Sequence, residues 1–159
     1  MTSIRLMLPS ERPFVASAWL RSYEHAEVMT GHIPRDDYWR AFGRLVDALL
    51  DSSDTYVAHN PEDPEHFLGF ACRSKTENTL HYVYAKWAMR DRQTLGSPLL
   101  LASKLIGEAG LKMVGLRCTF STVAWLKWCA KHGVTFEHDR SLVSVTRAAI
   151  RRSPREERT

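Results

Sequence analysis

The chain has 159 residues, 44% hydrophobic and 25% charged, with 8 Gly and 7 Pro, which excludes a collagen-like, low-complexity or disulfide-dense design. A chain of this size buries roughly two-thirds of the surface that it exposes when unfolded, so its core needs no disulfide or metal staple. The formal charge of +4 raises the question of a nucleic-acid surface, while the apolar runs are too short for a bilayer and no signal-like segment follows the start.

Residues 3–8 alternate Ile4, Leu6 and Leu8 with Arg5 and Met7, a period of two that predicts a strand. Ser10 offers an N-cap and Pro13 a first-turn proline for a helix whose apolar face is Phe14, Val15, Ala18, Trp19 and Tyr23. After Gly31 and Pro34, the spacing of Tyr38, Trp39, Phe42, Leu45, Val46, Leu49 and Leu50 predicts a second helix. Period two then returns at residues 55–58 and 66–73, joined across Asn60 to Pro64, and again at residues 79–86, giving a meander of three strands. Ser97 and Pro98 open a helix over 99–108 that stops at Gly110. A strand over 113–120, a helix over 122–131 ending at Gly133, and two strands over 134–138 and 142–146 complete the order β-α-α-β-β-β-α-β-α-β-β.

These elements predict one α/β domain over residues 1–146. Its sheet is mixed and mainly antiparallel, with six or seven strands flanked by about four helices. Residues 147–159 hold five Arg, two Glu and little that is apolar, so they read as a flexible tail carrying +3 of the +4. The body is then nearly neutral, so nucleic acid is not an expected partner, and a nucleic-acid accessory using the basic tail is the weakest of the readings. Cys72, Cys118 and Cys129 have no C-x-x-C spacing and the seven histidines form no ligand pattern, so no metal is expected.

The order of elements resembles the GCN5-related N-acetyltransferase (GNAT) fold over nearly the whole chain. The strand at Ile4-Arg5, the helix Phe14-Val15-Ala16-Ser17-Ala18-Trp19-Leu20 and the strand Tyr82-Val83-Tyr84-Ala85-Lys86 look most like small GNAT-like proteins of tailed bacteriophages. The resemblance implies an acetyltransferase that uses acetyl-CoA, or a protein that binds CoA, with an amine on a small molecule or protein as acceptor. The pantetheine arm would lie along Tyr84, Ala85 and Lys86, and the pyrophosphate on backbone N–H groups at the start of the next helix, where the helix dipole favours an anion.

The family writes the pyrophosphate loop as Q/R-x-x-G-x-G/A. Arg90 in the first place puts Gln93 and Leu95 at the two small positions. A slide of three residues gives Gln93-Thr94-Leu95-Gly96-Ser97-Pro98, in which Gly96 fits and Pro98 removes one N–H. Arg90 and Arg92 would add charge-assisted donors. The cofactor loop is thus altered, and the alternative is a catalytically degenerate phage protein, in the host cytoplasm, that binds and modulates a host protein.

Counting back from Gly133 puts Cys129 where many GNAT enzymes carry a tyrosine that protonates the departing thiolate; the other reading of Cys129 is packing. His81 is the candidate base that neutralises the attacking ammonium, or else a structural histidine. Alternation places it on the face of Val83 and Ala85, opposite Tyr82, Tyr84 and Lys86. Three further features are a Glu24-His25-Ala26-Glu27 cluster that could hold a substrate cation, a Trp125/Trp128 pair beside Lys127 and Lys131 that could face a partner, and an aromatic C-terminal half compatible with a homodimer.

Overall fold

In the computed structural model, which describes residues 2–26, 33–86 and 98–152, six strands form one sheet in the order β1-β2-β3-β4-β5-β6. The strands are β1 (Ser3–Leu6), β2 (Ser53–Asn60), β3 (Asp63–Ser74), β4 (Thr79–Ala85), β5 (Leu116–Cys118) and β6 (Phe136–His138). The helices are α1 (Arg12–Ala26), α2 (Arg35–Ser52), α3 (Pro98–Glu108), α4 (Val123–His132) and α5 (Ser141–Arg152). The first four strands run antiparallel in sequence; β4, β5 and β6 are parallel to one another.

The sheet divides two cores. On one face α1 and α2 lay Trp19, Tyr23, Tyr38 and Phe42 against Phe70, Tyr82 and Phe120, with Val143 of α5 buried and Ile150 packed alongside. On the other, α3 and α4 lay Leu101, Leu105, Trp125, Trp128 and Cys129 against Leu68, Ala71, Leu80 and Leu116. The helix α2 forms because Tyr38, Phe42, Val46, Leu49 and Leu50 recur at the spacing of one helical face, with Asp36 and Asp37 at its positive end. Thr122 caps α4 by accepting from Trp125 N at 3.2 Å, and Gly133 ends it at φ 64°.

The mixed sheet and its element order follow the sequence reading up to β6, with β1 and β5 shorter than expected. The last element differs. Residues 142–146, expected as a strand, belong to α5, which continues to Arg152. Asp139 Oδ1 accepts from Ser141 N at 3.0 Å and from Ser141 Oγ at 2.6 Å, which starts the helix, and Val143 and Ile150 then turn to the same core. A 3₁₀ turn at Pro9–Glu11 precedes α1, where an N-cap at Ser10 was expected; Glu11 instead grips Arg5 at 2.7 Å and takes Leu8 N at 2.8 Å. That bidentate pair holds the Glu11 carboxyl below its ordinary range.

Candidate functional site

The two edges of β4 are treated differently. Toward β3 it is paired along its length, from Arg73↔Leu80 to Gly69↔Ala85, and Lys86 N donates to Leu68 O at 2.8 Å. Toward β5 the register covers only Thr79↔Arg117 and Leu80↔Cys118. Two more bonds close the junction, Thr119 N to Leu80 O at 3.1 Å and Phe120 N to His81 O at 3.2 Å. Consecutive carbonyls of β4 thus face β5, where the β3 register also shifts, as in a bulge. Beyond this point the chain turns into α4, and among the described residues nothing pairs with residues 82–85 on that side. Since Lys86 N faces β3, alternation directs the amide groups of Val83 and Ala85 into the opening.

The apex of the opening is built by His81 and Thr119. His81 Nδ1 lies 2.8 Å from Thr119 Oγ1, and no described residue bonds its Nε2. The ring is buried, and desolvation pushes its pKa down to about 4 against a weaker pull from Asp139, so the imidazole is neutral at pH 7.

Along the open half, the side chains of Val83 and Ala85 pack on the α3/α4 core, while Tyr82 and Tyr84 enter the aromatic one. Tyr82 stacks on Trp19 with centroids 5.1 Å apart, and its hydroxyl shares a 2.9 Å hydrogen bond with Ser22 Oγ. Burial raises the Tyr82 phenol well above its usual range, and raises the half-buried Tyr84 against the opposing charge of Arg21. Gly69 shapes this half from behind: a Cβ there would stand 2.3 Å from Tyr84 O and 3.2 Å from Ala85 Cα.

Of the residues expected in the site, the fold brings Tyr84, Ala85 and Lys86 along or just past the open half and His81 to its apex. Arg90, Arg92, Gln93, Thr94, Leu95, Gly96 and Ser97 lie outside the described residues. Cys129 lies buried on α4 in the α3/α4 core with Cys118, and burial raises its thiol to about 11. Trp125 and Trp128 do not form a partner surface: both are buried and stacked 5.1 Å apart, with Trp128 Nε1 donating to Ser103 Oγ at 2.9 Å. Glu24 is engaged inside the protein, accepting from Trp39 Nε1 at 3.1 Å and approaching Arg35 at 3.8 Å; Glu27 lies outside the described residues. Among the described residues no cluster of His, Cys, Asp and Glu could hold a metal, and no helix is long and apolar enough to cross a membrane.

Sequence reasoning did not single out Gly69 and Thr119. Gly69 had a signal, since an isolated glycine inside an apolar strand marks a bulge or a close backbone approach. Thr119 had none, because its role comes from a strand neighbour that is distant in sequence.

No protein-family model matches the sequence, and a search of curated proteins finds no match. Solved structures do match. A histone acetyltransferase HPA2 and related acetyltransferase from Corynebacterium glutamicum aligns at TM-score 0.53 and 11% identity over 83% of each chain. A predicted acetyltransferase from Clostridium acetobutylicum, solved with acetyl-CoA, aligns at TM-score 0.53 and 12% identity, over 85% of this chain and 90% of that one. A Pyrococcus furiosus protein named as an acetyl transferase aligns at TM-score 0.53 and 17% identity, over 85% and 93%. This chain has the GNAT fold. None of the three is a bacteriophage protein, so the more specific likeness to phage proteins gains no support from them.

Proposed function

We propose that this protein is an N-acetyltransferase that moves an acetyl group from acetyl-CoA to an amine. The observation that carries the proposal is the half-open β4 strand: hydrogen-bonding backbone at Val83 and Ala85, set in the middle of a sheet and left without a strand partner among the described residues. Backbone N–H and C=O groups left without a partner in the protein are available to a ligand that can pair with them. An extended molecule with amide groups of its own fits that opening as an added strand, and the pantetheine arm of CoA is such a molecule. The Clostridium acetobutylicum structure, with the same fold and acetyl-CoA bound, supports this reading.

Acetyl-CoA supplies an activated acyl thioester. Val83 and Ala85 would hold its arm by their N–H and C=O groups. His81 receives the proton that the amine must lose: this requires the tautomer in which Nδ1–H donates to Thr119 Oγ1, with Nε2 as the acceptor. With a pKa of about 4 the ring is a relay that returns the proton to solvent rather than a store for it. Cys129 is assigned to packing. Its thiol, raised to about 11, holds its proton too tightly to give it to an ordinary thiolate of pKa about 8.5.

The test is ligand-dependent stability read together with amide exchange. Acetyl-CoA at 100 times its Kd stabilises a protein by about 2.7 kcal/mol, so the melting temperature should rise and the Val83 and Ala85 amides should exchange more slowly. No shift at millimolar acetyl-CoA overturns the proposal. A shift without slower exchange at those two amides overturns the assigned arm site.

A further inference from the structure

The C-terminal helix carries a cationic feature, remote in sequence from the β4 opening. Residues 140–159 hold six arginines and two glutamates, an excess of four positive charges, so the residues before them carry equal numbers of basic and acidic side chains. The charge of the whole chain is therefore concentrated in its last segment. That segment begins as a helix docked by Val143 and Ile150, and beside the docked face runs a groove of about 340 Å³ lined by Ser144, Arg147, Ala148, Arg151 and Arg152.

Two bland explanations account for only part of this. Arginines in a last turn complement the helix dipole, which covers Arg151 and Arg152 but not the absence of any carboxylate along α5, whose sequence is SLVSVTRAAIRR. Surface arginines are also often paired, yet Arg151 and Arg152 are exposed and have no acidic partner among the described residues. The chemistry is also selective. Every basic residue after position 139 is arginine, whereas the preceding chain uses lysine as well. Arginine presents a planar fork that meets phosphate through two parallel hydrogen bonds.

We propose that this groove of α5 binds the phosphate backbone of nucleic acid, without reading its sequence. Arg151 and Arg152, both exposed, pair with successive phosphates, with Ser144 along the groove. Affinity then comes mainly from counterion release and must fall with salt. This site is independent of the acetyl-transfer reading and stands whether or not acetyl-CoA binds.

Fluorescence anisotropy of labelled 20-base-pair DNA, and of 20-nucleotide RNA as a second probe, tests the proposal on the full chain. Two arginine contacts give a log Kd against log salt slope of about 2 on duplex DNA, and Arg151→Gln with Arg152→Gln together should remove most of that slope. The double variant should also weaken binding at least about tenfold at ~50 mM salt while its melting curve stays close to that of the parent, since both side chains are exposed. Binding of either probe with this behaviour supports the groove, and the tighter probe identifies the form of nucleic acid. No binding at ~50 mM salt overturns the proposal, as does a double variant that keeps the parent's affinity and slope. Displacement of both probes by polyglutamate at equal charge concentration also overturns it, in favour of an acidic protein.

Discussion

The two halves of β4 share one strand and differ in everything that surrounds them. The first half, around Leu80 and His81, is held on both edges, by β3 on one side and, on the other, by β5 and the bonds from Thr119 N and Phe120 N. The second half, residues 82–85, is held on one edge by β3 and otherwise by its side chains, with Tyr82 and Tyr84 in the aromatic core and Val83 and Ala85 in the opposite one. The difference shows how a sheet can keep an opening without losing its strand: packing on both faces replaces the missing ladder. His81 sits where the two regimes meet.

The largest expected effect comes from breaking the support behind the open half. Gly69→Val forces the β3 and β4 backbones apart at Tyr84 O and Ala85, and overpacking of this kind costs about 3 kcal/mol or more. Urea denaturation should show that loss, and amide exchange should show it concentrated in residues 82–85; equal loss across both halves would mean that the halves are not independently held.

The apex should respond to pH. Burial holds His81 neutral down to about 4 instead of the ordinary 6.5, so between those values the unfolded chain binds more protons than the folded one. Stability is therefore full above about pH 6.5 and falls by up to about 3 kcal/mol as the pH drops toward 4. Thermal melts across this range should show the decline, and His81→Gln, which does not titrate there, should flatten it. A decline of the same size in the variant would assign the effect to other groups.

The smallest effect concerns the hydroxyl that ties the open half to α1. Tyr82→Phe keeps the ring stacked on Trp19 and removes only the bond to Ser22 Oγ, which retains its own donation to Trp19 O at 3.1 Å. A loss of about 1 kcal/mol is expected, read from the denaturation midpoint. A much larger loss would mean that the phenol, not the ring, anchors this half.

Much of this architecture was legible from the residues. The spacing of Tyr38, Phe42, Val46 and Leu49 encodes α2, and the strand formers of residues 79–86 encode β4, because burial on one helical face or in a pleated sheet selects those patterns directly. The final element was not legible. Leu142, Val143, Ser144, Val145 and Thr146 alternate like a strand, but Val145 is exposed and Leu142 largely so, and the contacts of Val143 and Ile150 with a core built by α1 and α2 select the helix. Of the β4 residues in the candidate site, Ala85 and His81 were named from the sequence and Val83 was not, and the divergence of β4 from β5 could not be read there. It arises from where a distant strand stops pairing, a property of two segments together that neither displays alone.

The outer strands of the sheet are short, four residues in β1 and three in β6 against twelve in β3. Stubs of that length offer a neighbouring molecule few backbone groups to grip, which guards against edge-to-edge aggregation. The groups most open to pairing are recessed between two helical layers instead of displayed at the margin. A slender extended molecule can reach them there, and the broad edge of another folded sheet cannot.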